Sequence, residues 1–374
     1  MKGRLAVMTK FSADFDIREY TVPEVEPDAA LVRITRGGIC GSDLHIWRGE
    51  LQDLIGAPDR GQTFGHEMCG VIERLGKNVS KDSTGAPLKE GDRVTYCYFY
   101  PCERCPACLD GHRAACPNKR RGTRYADDAP HFVGSYGDYF YLRPGHFVYK
   151  VPDSISDDVA TPVNCALAQV LYGLDKVRVR VGDTVVLQGA GGLGLNAIAV
   201  ARDMGAGTII VVDRVPARLA LAREFGADHT LSLEELPTPE RRIAAVQDLT
   251  DGFGADVVAD FVGYPDVVPE GLRMLRSGGC YLEVGSIAPG NMFSFDATAL
   301  VRGNIRLVGT SNYSPWALAQ ALAFLRRGQA RFPFARLVSH VYPLEKISDA
   351  FQQADWMQRG GDGLRLSRAA LSMA

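Results

Sequence analysis

The chain has 374 residues, 46% of them hydrophobic and 23% charged, with a formal net charge of −2. Such a length exceeds one ordinary core and points to two domains, while the composition excludes a disordered chain and the balanced charge gives no reason to expect nucleic acid or an anionic membrane surface as partner. The N-terminal MKGRLAVMTKF lacks the apolar core of a secretion signal and no run approaches a membrane span, so a cytoplasmic protein is expected, in which nine cysteines are tested against metal chemistry before disulfides.

Residues 1–36 alternate apolar and polar positions, broken by Pro23 and Pro27, and predict short antiparallel strands that begin a β-rich domain. The stretch from Gly38 to His45 then sets Cys40, Ser42 and His45 within six residues behind a glycine, which reads as a functional loop. Further on, His66 and Glu67 stand side by side at the entrance to a strand over 70–74. A polar surface loop over 78–88 leads to a strand over 93–97. Cys102, Cys105, Cys108 and Cys116 follow at C-x2-C-x2-C-x7-C, among proline, glycine and charged residues. Four thiolates at this spacing fit a closed tetrahedral zinc site, and the run lacks the x2, x2, x3-Pro form of an iron–sulfur motif. Cys69, Cys97 and Cys280 read as core. After strand-like alternation over 136–150, residues 158–175 predict one helix carrying Cys165.

The stretch from Thr184 to Asp213 predicts strand, tight turn, buried helix, strand. Gly189, Gly191 and Gly194 form G-x-G-x-x-G, and Asp213 lies nineteen residues after Gly194. Gly189 permits the turn, Gly191 lets backbone approach a pyrophosphate, and Gly194 lets helix and strand pack closely. The helix N-terminus offers N–H groups to phosphates. Asp213 is placed to accept from ribose hydroxyls and to repel a 2′-phosphate, favouring NAD over NADP, with Arg214 beside it as a counterweight. Gly192, Leu193, Val262 and Val284 complete the expected cofactor contacts. The βα alternation continues through strands over 256–262, 280–284 and 305–309, which makes the fold class α/β: a Rossmann doubly wound parallel sheet beside a β-rich domain. A helix over 315–327 opens a tail expected to fold back on the first domain.

Taken in order, CGSDLH, GHE, the four-cysteine lobe, GAGGLG and Asp213 resemble the zinc-dependent medium-chain alcohol dehydrogenases nearly end to end. The resemblance implies a GroES-like catalytic domain over 1–160 and 315–374 and an NAD-binding domain over 161–314. It implies two zinc ions, the catalytic one held by Cys40, His66 and Cys165, with Cys165 standing where many polyol-dehydrogenase relatives carry glutamate. Glu67 matches a residue that approaches the metal transiently, Ser42 and His45 match a proton relay, and Arg365 resembles an arginine that contacts the cofactor pyrophosphate. Trp47 and Tyr98 are pocket candidates on the same ground, against the plainer reading of both as core. The implied reaction is hydride transfer between a small alcohol and NAD, giving an aldehyde or ketone, in a homodimer or homotetramer. The competing readings are a zinc-independent NADPH quinone or enone reductase of the same fold, disfavoured by Cys40, His66 and the cysteine lobe, and a non-catalytic zinc-stabilised nucleotide-binding protein.

Overall fold

The computed structural model describes residues 1–119, 125–358 and 368–373, with 356–358 as backbone alone. Six parallel strands form one sheet in the spatial order His229–Ser232, Thr208–Asp213, Thr184–Gln188, Ala255–Asp260, Leu275–Glu283 and Arg306–Gly309. Helices cover both faces of the central strands, so those strands are apolar throughout instead of alternating. Chain order reverses between Thr184–Gln188 and Ala255–Asp260, and in such sheets the crevice outside the strand ends at the reversal is where ligands bind. Gly192–Asp203 starts at that crevice and buries most of its residues against the sheet.

The second sheet has seven strands. Val338–Pro343, Arg368–Ser372, Ala30–Gly38, Glu67–Leu75, Arg93–Tyr96 and Val148–Lys150 follow one another, and Tyr139–Leu142 also pairs with Ala30–Gly38. Only the first pair is parallel. A ribbon of Lys2–Val7 and Asp16–Thr21 packs beside it. The chain's end therefore does close on the β-rich unit, through Arg368–Ser372. The helix Trp316–Gly328 does not, contrary to the boundary expected at 315: its apolar stripe of Ala317, Leu318, Ala321, Leu322 and Leu325 packs on Ala166–Val177.

Two local expectations are corrected. The CGSDLH stretch is not a loop, because Gly41–Trp47 is helical with Cys40 in extended backbone just ahead of it, and the Asp43 carboxylate accepts from the Cys40 N–H at 3.0 Å. The helix expected over 158–175 is broken into Asp157–Ala160, a 3-10 turn at Thr161–Asn164 and Ala166–Val177. Pro162 has no N–H to continue an α-helix, and Cys165, at φ −126° and ψ −83°, sits at the break.

Candidate metal centre and cofactor cleft

The break at Cys165 is held in place by buried polar groups. Asn164 donates from Nδ2 to the carbonyls of His66 at 3.0 Å and Tyr96 at 2.9 Å, and the Tyr313 hydroxyl donates to the Asn164 carbonyl. These bonds fasten the segment carrying Cys165 to the strand entrance carrying His66. As a result Cys40, His66, Glu67 and Cys165 each bring a donor atom to within 4.8 Å of the others. The sulfurs of Cys40 and Cys165 are 3.9 Å apart, and His66 Nε2 is 3.2 Å from the Cys165 sulfur. Two thiolates each about 2.3 Å from a tetrahedral zinc stand about 3.8 Å apart, so the donor set fits that ion in spacing and in chemistry.

The groups behind the donors were not legible as such in the sequence. Asp43, fully buried, places Oδ1 3.2 Å from His66 Nδ1 and accepts at Oδ2 from the Tyr136 hydroxyl at 2.7 Å. A carboxylate on Nδ1 fixes the tautomer that leaves Nε2 free to ligate. Burial alone would pull the His66 pKa down, but Asp43 and Cys40 outweigh it and hold the imidazole well above its usual value. The thiol of Cys165, hydrogen-bonded to Cys40 and buried, is pushed up while that same bond draws Cys40 well down. Glu67 pairs with Arg368, both buried. Burial nevertheless raises the Glu67 carboxyl to about 7, and its Oε2 has no partner among the described residues.

Cys102, Cys105, Cys108 and Cys116 form a second cluster of the same compactness. Cys105 and Cys116 sulfurs lie 3.9 Å apart, the Cys102 N–H points to the Cys116 sulfur at 3.3 Å, and Asn118 Nδ2 to the Cys102 sulfur at 3.7 Å. N–H groups aimed at sulfur favour thiolates. Cys69 and Cys97 lie outside both clusters, and burial pushes their thiols up to about 12, as for core residues.

Between the two sheets runs a cleft of about 680 Å³. One wall carries Ser42, His45, His66 and Cys165, and the other Leu193, Val262 and Val284. Val262 and Val284 lie just beyond their strands, which end at Asp260 and Glu283. His45 Nδ1 is paired with Glu50 near the surface. At the glycine loop Gly189 adopts φ +99°, and nothing lies within 4 Å of where a Cβ on Gly191 would stand. Asp213 accepts from the N–H of Ala190 at 2.6 Å and of Val215 at 2.8 Å, joining its carboxylate to the loop. Arg365 lies outside the described residues. Among the described residues, the arginine brought to the loop is Arg368, whose Nε would be 2.4 Å from a Cβ on Gly192. Tyr98 lines the cleft, stacked obliquely on His66, whereas Trp47 is core and donates to the Ala13 carbonyl at 2.9 Å. No helix among the described residues is long and apolar enough to cross a membrane.

Comparison with known proteins gives the same two-part division. The alcohol dehydrogenase GroES-like domain matches residues 26–153 and the zinc-binding dehydrogenase family matches residues 192–327. A 5-exo-hydroxycamphor dehydrogenase from Pseudomonas putida is 34% identical over 353 residues, covering 94% of this chain and 95% of the relative. Among solved structures, an alcohol dehydrogenase from Thermotoga maritima superposes with a TM-score of 0.89 at 29% identity, over 100% of this chain and 99% of that one. Benzyl alcohol dehydrogenase from Acinetobacter calcoaceticus gives 0.85 at 26% identity, with both chains fully covered.

Proposed function

The chain belongs to the zinc-type medium-chain alcohol dehydrogenases, and from that premise we propose that it transfers hydride between an alcohol and NAD, with two zinc ions per chain. The observation that carries the reading is the convergence of Cys40, His66 and Cys165 in a cleft that is also lined by Leu193 of the GAGGLG motif and by Val262 and Val284 at the strand ends. Cys40, His66 and Cys165 would hold the catalytic ion and the four-cysteine lobe the structural one. Bound there, zinc supplies a Lewis acid and the nicotinamide a hydride acceptor.

The residues of the chain do the rest. Asp43 orients His66 through Nδ1. Two thiolates balance a doubly charged ion, and Arg368 neutralises Glu67, so the donor set carries little surplus charge into a buried site. Glu67, beside the donors, is the candidate transient ligand. Ser42, in the first turn of Gly41–Trp47, faces the cleft next to Cys40 and is the acceptor of the alcohol proton. His45, one helical turn on and paired with Glu50 near the surface, is the group that passes it to solvent. Asp213 receives the adenosine ribose, disfavouring a 2′-phosphate, and Arg368 beside Gly192 joins Arg365 as a candidate for the cofactor pyrophosphate. The cleft excludes water while the two reactants are held together.

Ser42→Ala tests the assignment. Alcohol oxidation should slow by roughly 100-fold or more, the range for a positioned proton-transfer group, with zinc content and Tm unchanged. A pre-steady-state hydride-transfer rate equal to that of the unmodified enzyme removes Ser42 from the reaction.

A further inference from the structure

The reading above leaves the substrate open, and the chemistry of the cleft narrows it. Six apolar side chains, Ile46, Leu51, Leu54, Ile55, Phe64 and Val133, line the cleft together with Ser42 and His66. Of the lining residues, Leu54 is 59% exposed and Ile287 37% exposed. Among the described residues, no lysine or arginine lines the cleft. Its two carboxylates, Asp43 and Glu283, add negative charge: Asp43 is fully buried against Tyr136 and the Cys40 N–H, and Glu283 accepts from the Ser286 N–H at 2.8 Å.

Three of the polar side chains in the lining, Gln62, Tyr98 and Asn312, are already engaged by the protein. Gln62 donates from Nε2 to the carbonyls of Ile55, Gly56 and Ala57 at 3.0 to 3.4 Å. The Tyr98 hydroxyl donates to Asn312 Oδ1 at 3.1 Å, and Asn312 in turn reaches Ser311 at 3.5 Å. A substrate bearing phosphate or carboxylate would find no lysine or arginine among the described lining residues to meet its anion, and Glu283 to repel it. A polyol would set several hydroxyls against leucine, isoleucine and phenylalanine, where a hydroxyl without a partner carries a desolvation penalty. An apolar carbon frame gains with each methylene placed against the same surface.

We propose, resting on the dehydrogenase reading, that the substrate is an uncharged alcohol whose single reactive hydroxyl is carried on a bulky apolar frame. The zinc-loaded enzyme with NAD is assayed on cyclohexanol, benzyl alcohol, ethanol, sorbitol, L-threonine and glycerol 3-phosphate. Cyclohexanol or benzyl alcohol should exceed sorbitol and both charged alcohols in kcat/KM by roughly 100-fold, and ethanol by about 10-fold, as expected for several buried methylenes. Leu54→Asp, at an exposed position that the fold tolerates, should raise the KM for cyclohexanol by roughly tenfold with a smaller change in kcat. Thermal shift provides a readout free of turnover: cyclohexanol should raise Tm, and sorbitol at the same concentration should not. A preference for sorbitol, L-threonine or glycerol 3-phosphate overturns the proposal. If no alcohol is oxidised, that failure belongs to the dehydrogenase reading, and the thermal shift alone decides: a sorbitol shift equal to or above that of cyclohexanol, or no shift with either, also overturns it.

Discussion

One methyl group placed at either of two glycines separates what the glycine loop does for the fold from what it does for the cofactor. A Cβ on Gly194 would stand 1.9 Å from the carbonyl oxygen of Gly189, against the 3.0 Å below which Cβ contacts essentially never occur, so the loop must yield by about 1.1 Å. That oxygen cannot move cheaply. The Gly189 N–H is bonded to the Val212 carbonyl at 2.8 Å, and the next N–H, of Ala190, to Asp213 at 2.6 Å. Overpacking at about 1–3 kcal/mol and the weakening of one such bond at about 1 kcal/mol put Gly194→Ala at about 2–4 kcal/mol. With about 2–4 °C per kcal/mol for a unit of this size, Tm should fall by roughly 5–15 °C. At Gly191 nothing lies within 4 Å of an added Cβ, and the backbone, at φ −72° and ψ −169°, suits any residue. Gly191→Ala should therefore leave Tm unchanged or slightly raised, since alanine restricts the unfolded chain. Its methyl nevertheless occupies the space through which a pyrophosphate approaches the helix N-terminus, and NADH affinity should drop by about tenfold or more. Differential scanning fluorimetry and a fluorescence titration with NADH read the two effects separately. If Gly191→Ala binds NADH as tightly as the unmodified protein, or Gly194→Ala melts at the same temperature, the assignment of these glycines is wrong.

Asp260 offers a pH test: burial first, then the neighbouring Glu283, raises its carboxyl to about 7, against bonds from the N–H groups of Val262 and Gly263 that favour the charged form. Between the unfolded value near 4 and about 7 the native state binds more protons than the unfolded one, so stability falls as pH rises through that window. Asp260→Asn should remove this dependence, and urea melts at pH 5 and pH 8 that show an identical decline in both proteins would sink the argument. Asp213→Gly should shift the NADP to NAD ratio of kcat/KM upward by about tenfold or more, and should also lower stability by about 1–3 kcal/mol through the lost acceptor for Ala190 and Val215; an unmodified enzyme that favours NADP contradicts the role given to the carboxylate. A mild chelator should take one of two zinc ions, from Cys40, His66 and Cys165, and leave the four-thiolate ion in place, whereas Cys105→Ser should reduce solubility and Tm. Metal analysis finding one zinc per chain in active native protein would refute the pairing of sites.

The sequence alone determined the elements whose signals are local. Four cysteines within fifteen residues have few ways to avoid one another, and the cluster at Cys102, Cys105, Cys108 and Cys116 needs only a short turn to close. The run from Thr184 to Asp213 likewise carries its own periodicity, its glycine turn and its terminal acid, and the structure has the strand, helix and strand where they were expected. What only tertiary structure decided depends on groups distant in sequence. Cys165 reaches His66 because Asn164 and Tyr313 pin a helix break that no periodicity reveals. Arg368 stands at Gly192 because Arg368–Ser372 enters the sheet between Val338–Pro343 and Ala30–Gly38, a pairing of segments far apart in the chain. Asp43 reads in sequence as one more polar residue among CGSDLH. Folding alone buries it against His66 and Tyr136, where a carboxylate becomes the group that orients a ligand.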